Sequence, residues 1–525
     1  MDRPPGDAPA PPAERRRRPP APLLAAGSVV GALALVPLGF VVVYTALIGP
    51  GDAWDLVARP RVGELLGNTV TLVVGCTATC TALGVGCAWL VERTDVPLSR
   101  VWHGLLVAPL AVPAFVNSYS WASLVPGIHG FTGALVVITL SYYPLVYLPV
   151  VAVLRGLDPA LEEAAYSLGH SRARTFARVV LPQLRPAVLG GCLLVSLHLL
   201  AEFGALQMLQ FPTFTTAIYD QYGSTFNGEA ANMLASVLVL LCMLILLAEL
   251  RLRGRRRYAR VARGAARPVE IIRLGGGRGP LTLVLAAVVA LAVGLPAYSL
   301  VHWLRVGSST EFPVGELAAA AGTSLGLGAA AAAATVVLAM PAAWLAVRYP
   351  GLTSNLVERS TYVANALPGI VVALALVTVS IRAVQPIYQT YVLLLLAYAI
   401  MFLPRAVVSV RAALEQAPVL LDEVAHSLGV GSLATVRRVT LPIIAPGIGA
   451  GAALVFLAVS TELTATLMLA PIDTTTLATR FWAESSSVAY GAAAPYALLM
   501  VLISIPAAVL LGRHASLSSP WEAPR

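Results

Sequence analysis

The sequence predicts an all-α polytopic membrane protein, with about twelve transmembrane helices in two parallel six-helix repeats. Three observations carry this expectation. Of 525 residues, 58% are hydrophobic and 12% are charged, with a mean hydropathy of +0.80. Twelve apolar runs approach the length of a bilayer crossing, and two stretches of chain repeat one another at a fixed offset. Soluble domains carry about 25% charged residues. The composition therefore excludes a water-soluble surface, and with it the disordered, collagen-like and disulfide-rich secreted classes.

A bilayer core of about 30 Å takes about 20 apolar residues per helix. Such runs lie at 23–48, 66–91, 104–125, 131–154, 186–208 and 231–250, then at 280–303, 317–347, 361–380, 388–410, 446–470 and 490–512. They divide the chain into a Pro- and Arg-rich tail (1–22, expected to be disordered), a first membrane domain (23–250) and a basic linker (251–279). A second membrane domain (280–512) and a tail (513–525) follow. The 317–347 run, with Gly322, Gly326 and Gly328, reads as one long tilted helix whose small residues let neighbours approach.

All 35 basic residues are arginine. With the N-terminus inside, thirty of them fall in the tails, the linker and the even-numbered connections, Arg405 among them. Only Arg59, Arg61, Arg305, Arg382 and Arg480 fall outside. The positive-inside bias then places both termini in the cytoplasm. The first apolar run is long for a signal peptide and reads as an uncleaved helix. The basic linker obeys the same bias, so no nucleic-acid partner is expected; lipid contact stays open. Absence of lysine excludes a Walker A loop and a Schiff base. No HExxH motif and no clustered His or Asp set occurs, so the chain itself is not expected to be an enzyme or to hold a cofactor or metal. Cys76, Cys80, Cys87, Cys192 and Cys242 lie in apolar runs and read as small buried fillers, although Cys76 and Cys80 share a helix face.

The repeat is the most informative feature. Glu163 and Glu423, Gly169 and Gly429, Pro182 and Pro442, Pro186 and Pro446, and Glu202 and Glu462 all differ by 260. Upstream, Pro113 and Pro368, and Pro149 and Pro404, differ by 255. Each half has six helices, so the repeats are parallel, and a pathway between them is the natural architecture.

Segments 155–185 and 411–445 are charged connections that do not read as loops. Asp158 can cap a helix with Pro159 in its first turn, apolar residues follow at helical spacing, and Gly169 stops it. A second short helix runs from Ser171 to Val180 and ends at Leu181-Pro182. The second half repeats the plan with Pro418, Ala425, Gly429 and Leu441-Pro442. Two short helices joined at a glycine make a stiff knob.

Glu163-Ala164-Ala165, Gly169, and Leu181-Pro182 resemble the motif of ABC importer permeases; Glu423, Ala425, Gly429, Leu441 and Pro442 repeat it, with Val424 in place of the first alanine. The resemblance implies coupling helices, two fused permease domains, two copies of a separate ATPase subunit, and a substrate-binding protein on the outer face of a bacterial inner membrane. Ala201-Glu202-Phe203-Gly204-Ala205 and the Thr-rich segment after Pro212 resemble ferric iron permeases, as do Glu462-Leu463-Thr464-Ala465-Thr466 and Thr474 to Arg480. Related permeases carry thiamine or phosphonate, which remain alternatives.

Glu202 and Glu462 sit at matching places, about 16 residues past Pro186 and Pro446, and so about 24 Å into the membrane at 1.5 Å per residue. A carboxylate at that depth faces a cavity or a partner. They are candidates to line a cation pathway; pairing with a helix N-terminus or hydroxyls is the other reading. His198, one turn earlier, and Tyr119, Tyr142, Tyr143 and Tyr147 admit both iron contact and plain packing. An ion-coupled secondary carrier explains the halves and the glutamates, but not two matched helix-Gly-helix knobs.

Overall fold

The computed structural model describes residues 19–517, except 50, 52–54, 56–57, 159, 226, 254–270, 308–312 and 365. The expected tail up to residue 18, most of the linker, the last eight residues and Pro159 therefore lie outside the described residues. The rest is helical, with a single isolated bridge between Thr94 and Ile272.

The two halves run through the same ten helices. The first half holds α1 (Ala21–Ile48), α2 (Pro60–Arg93), α3 (Ser99–Val107), α4 (Ala114–Leu124) and α5 (Gly130–Gly156). It continues with α6 (Ala160–Ser167), α7 (Leu181–Ala201), α8 (Gly204–Met208), α9 (Phe214–Gly223) and α10 (Gly228–Arg253). The second half holds α11 (Gly275–Val306), α12 (Val314–Arg348), α13 (Leu352–Ala364), α14 (Gly369–Ala383) and α15 (Tyr391–Gln416). It closes with α16 (Val419–Ser427), α17 (Leu441–Ser460), α18 (Thr464–Leu469), α19 (Leu477–Ser486) and α20 (Tyr490–Leu517).

Among the described residues nine helices are long and apolar enough to cross a membrane, and eleven if two bent pairs each count as one. The expected straight spans at 104–125 and 361–380 are those pairs. The chain turns by 92° between α3 and α4 and by 105° between α13 and α14. Pro113 and Pro368 stand at the turns in extended geometry, ψ 141° and 143°, just before the second helix of each pair. Proline lacks the N–H a continuous helix needs there, so it starts the second helix instead. The twelfth expected span survives as a shorter apolar stretch, Tyr490–Pro506 of α20.

In each half a three-helix sheaf forms the inner framework: α2, α5 and α7 pack together, as do α12, α15 and α17. α12 is the long helix anticipated, 35 residues, or about 52 Å. Of its three glycines only Gly328 serves close approach: a Cβ there would stand 3.0 Å from Phe456 and Ser460 of α17, whereas Gly322 and Gly326 face open space. The halves interlock through their first spans. α1 packs on α12 and α13 of the second half, and α11 packs on α3, α4 and α5 of the first.

Arg405 is a correction to the arginine tally. It lies inside α15, not in a connection, eleven residues before the helix end. Its guanidinium is 5.1 Å from the Phe402 ring centre.

Candidate functional site

Each knob is built by local rules. Asp158 Oδ1 accepts from the Ala160 amide at 3.0 Å and caps α6. The helix ends at Gly169, φ +80°, where the His170 amide reaches back to the Ala165 carbonyl at 3.0 Å. In the second knob Gly429 has φ +78° and the Val430 amide reaches the Ala425 carbonyl at 3.0 Å. This closure needs a left-handed residue, which glycine supplies without a Cβ clash.

One helical turn then leads into a π turn, Phe176–Val180 in the first knob and Val436–Thr440 in the second. The Leu181 amide donates to the Phe176 carbonyl and the Leu441 amide to the Val436 carbonyl. The following prolines, Pro182 and Pro442, have no N–H and crowd the carbonyl four residues back. The wider turn absorbs that mismatch. Leu-Pro thus marks where a stiff knob joins a membrane span without a break.

Exposure sorts the motif. Ala165 and Ala425 are buried, on short helices that pack against the π turns of their own knobs, while Glu163, Ala164 and Glu423 face outward. The one departure, Val424, is 46% exposed, so its extra methyls meet no packed neighbour. Leu168 and Leu428, just before the glycines, are 78% and 77% exposed. Leu181 and Leu441 are 41% and 39% exposed. An outward carboxylate beside a bare leucine, present twice, has the character of a docking surface.

The sequence reading missed the residues that tie the knobs down. Arg93, the last residue of α2, pairs with Glu162 at 3.1 Å, and both are buried. Arg348, the last residue of α12, pairs with Asp422 at 3.2 Å. Arg93 and Arg348 differ by 255 and the acids by 260, so the repeat offsets already held the signal. Burial pushes the Glu162 carboxyl above its ordinary range, and Arg93 pulls it part of the way back.

Glu202 and Glu462 are not on the fifth and eleventh helices. α7 stops at Ala201 and α17 at Ser460, and each glutamate lies in the non-helical break before a short helix. Glu202 Oε1 accepts from the Ala205 amide at 3.0 Å, and Oε2 accepts from the Tyr142 hydroxyl at 2.5 Å. Glu462 accepts from the Ala465 amide at 3.1 Å, the Thr466 amide at 3.2 Å and the Thr466 hydroxyl at 3.1 Å. Both carboxylates therefore cap helix N-termini, where exposed amides and the helix dipole favour an anion. Each keeps part of its surface accessible.

The breaks meet between the halves. A Cβ on Gly204 would stand 2.9 Å from Leu463, the residue after Glu462. Beyond them Phe115, Tyr119 and Phe203 pack with Leu463, Phe481 and Trp482 in one apolar cluster. Phe203 and Trp482 ring centres are 5.2 Å apart, Phe115 and Phe481 5.5 Å, and Tyr119 and Phe481 5.3 Å. The Thr-rich segments hold the next helices: Thr213 with Thr216 caps α9, and Thr476 with Thr479 caps α19.

The other candidates have packing roles. His198 bonds the Leu194 carbonyl at 2.8 Å and meets Tyr142 edge-on. Tyr147 meets His103 Nδ1 at 2.9 Å, the Tyr119 hydroxyl donates to the Tyr490 carbonyl, and Tyr143 is fully buried. Tyr119, Tyr143 and Tyr147 are thus buried in the bundle, and Tyr142 is half-buried beside Glu202. No group of three or more His, Cys, Asp or Glu able to hold a metal occurs among the described residues.

Two matched helical halves, a pair of apposed breaks and a knob on each half are the architecture of a two-domain membrane permease. The chain belongs to the family of binding-protein-dependent transport system inner membrane components, which it matches twice, over residues 81–258 and 335–516. It is 38% identical over 502 residues to the Fe(3+)-transport system permease protein FbpB 2 of Haemophilus influenzae, covering 95% of this chain and 99% of that protein. The ferric transport system permease protein FbpB of Actinobacillus pleuropneumoniae is 23% identical over 411 residues, 75% of this chain and 60% of that one. The sulfate transport system permease protein CysT of Salmonella typhimurium is 30% identical over 236 residues, 41% of this chain and 84% of that one. The chain is thus a permease of the ABC importer class, not an ion-coupled carrier.

Proposed function

We propose that this permease passes ferric iron, delivered on its outer face by a binding protein, across a bacterial inner membrane. Two copies of a separate ATPase subunit dock on the knobs around Glu163 to Pro182 and Glu423 to Pro442, and both termini face the cytoplasm. The carrying observation is the duplicated knob, with Leu168 and Leu428 bare and Glu163 and Glu423 turned outward beside them. A single ATPase copy would leave one such surface in water. Glu163 and Glu423 then meet basic groups of the ATPase, and Ala165 and Ala425 let each short helix lie close to the π turn of its own knob. Closure of the ATPase pair moves the knobs, and the halves rock between outward and inward states.

The pathway runs between the halves, past the breaks at Glu202 and Glu462. In this reading the two carboxylates hold the break helices in place first, and their remaining accessible surface faces the cargo. Ferric iron is favoured over other cargo because the relative matched along almost the whole chain is named for it, whereas the sulfate-named relative matches less than half. Uptake of radiolabelled ferric iron into proteoliposomes carrying the permease, its ATPase and its binding protein tests this. ATP-dependent accumulation of iron, and not of sulfate, is the expected result. Accumulation of sulfate alone would replace the cargo; ATP-independent uptake would remove the importer reading.

A further inference from the structure

Each knob is attached to the membrane domain by more than its own chain. In the first half Arg93 bridges the end of α2 to Glu162 in the first turn of α6, at 3.1 Å, and also donates to the Leu154 carbonyl near the end of α5, at 3.3 Å. In the second half Arg348 bridges the end of α12 to Asp422 in the first turn of α16, at 3.2 Å, and donates to the Ala417 carbonyl at the end of α15, at 3.3 Å. Asp422 also accepts from the Thr440 hydroxyl at 2.8 Å, tying in the π turn. The same three-way junction thus occurs twice, made by residues at the repeat offsets.

The helix that each arginine ends is not the knob's sequence neighbour. It is the third member of the inner sheaf, packed against both helices between which the knob is strung. A knob held only by its two chain connections can pivot about them. A third attachment to the sheaf removes that freedom.

The first junction carries one more thread. The Ile272 amide donates to the Arg93 carbonyl at 2.9 Å, and the Leu274 amide to Asp95 Oδ1 at 2.9 Å. The chain entering the second half is therefore fastened where the first knob is fastened. Two of Arg93's nitrogens, Nε and Nη1, are buried without a hydrogen-bond partner. Such unpaired buried donors are costly, so the junction holds Arg93 in place through its one engaged nitrogen, which meets both Glu162 and the Leu154 carbonyl.

We propose that Arg93 and Arg348 are positioning residues that latch the two coupling helices to the inner sheaf, so that motion of each knob reaches α2 and α12 directly. This rests on the importer reading above and goes beyond it by naming the residues that transmit the stroke. Both arginine side chains are largely enclosed within the junctions, 2% and 10% exposed.

The test uses the assembled importer in proteoliposomes and reads ferric iron moved per ATP hydrolysed, with ATPase retention measured alongside. Arg93→Gln with Arg348→Gln is expected to lower that ratio at least tenfold while the ATPase stays bound and hydrolyses ATP. Arg93→Lys with Arg348→Lys keeps the charge and is expected to retain more than half of it. The second latch is more accessible to solvent than the first, so it tolerates change with less risk to folding. There the exchange of Arg348→Asp with Asp422→Arg is expected to recover at least a third of the ratio lost in Arg348→Gln alone. An unchanged ratio in the Gln pair overturns the latch. So does parallel loss of ATPase binding and transport in every variant, the Lys pair included, since that marks a plain folding role. Absence of ATPase from the unsubstituted importer would instead remove the reading on which the latch rests.

Discussion

Gly169 and Gly429 show how much one residue decides. Their left-handed φ angles close two short helices within a single residue and aim the following turn back at the membrane. A side chain in that conformation costs about 1–2 kcal/mol. Gly169→Ala with Gly429→Ala is therefore expected to loosen both knobs and lower the ATPase affinity of the permease by about one order of magnitude, read by titrating ATPase onto permease in detergent. At Glu202 and Glu462 the residue scale separates two roles. A helix cap needs an acceptor oxygen, which glutamine keeps; a cation site needs the charge, which glutamine loses. If capping dominates, Glu202→Gln with Glu462→Gln transports within about threefold of the parent, while the double alanine variant loses about 1 kcal/mol per cap and unfolds at lower temperature. Equal loss of transport in both variants, with unchanged thermal stability, would instead assign the carboxylates to the cargo.

The Leu-Pro pairs of the motif do structural work by turning α-helix into π turn where a knob enters the membrane. The same grammar recurs at Leu295-Pro296 after the π turn Ala290–Gly294, far from any knob, so local chemistry produces it and not docking. Pro182→Ala with Pro442→Ala is expected to restore ordinary α-helical bonds and rotate each knob relative to its span. Fold stability should hold, and ATP hydrolysis should continue with less transport, measured as the iron-to-ATP ratio. The helix-Gly-helix plan of the knobs was legible because capping and glycine stops are local. The bends at Pro113 and Pro368 were less so. The sequence shows the prolines in register, but a proline inside an apolar run either kinks a span or breaks it, and surrounding packing decides: Pro149 and Pro404 stay within helices. The end of α7 at Ala201 was hidden for a similar reason. Nothing in Leu-Ala-Glu-Phe stops a helix alone; the amide of Ala205 and the hydroxyl of Tyr142, sixty residues from Glu202, stabilise the break.

At the scale of the molecule, two halves that look separable in sequence are interlocked. α1 lies mainly on the second half and α11 mainly on the first, so each half's first span is covered chiefly by the other half. A chain cut between residues 253 and 271 is therefore expected to assemble from its two pieces when they are made together, and each piece alone is expected to aggregate in detergent, as gel filtration would show. Twofold organisation was readable from the offsets of 255 and 260, and so, in retrospect, were Arg93 and Arg348. Their partners were not, because an ion pair between residues about seventy positions apart follows from how spans pack. On the proposed function the molecule offers two equivalent docking knobs to an outside motor. Native mass spectrometry of the purified importer counts ATPase subunits per permease chain. Two are predicted for the parent, one each for Leu168→Glu and Leu428→Glu, and none for the double variant. A single ATPase on the parent chain, or two on the double variant, would contradict the account.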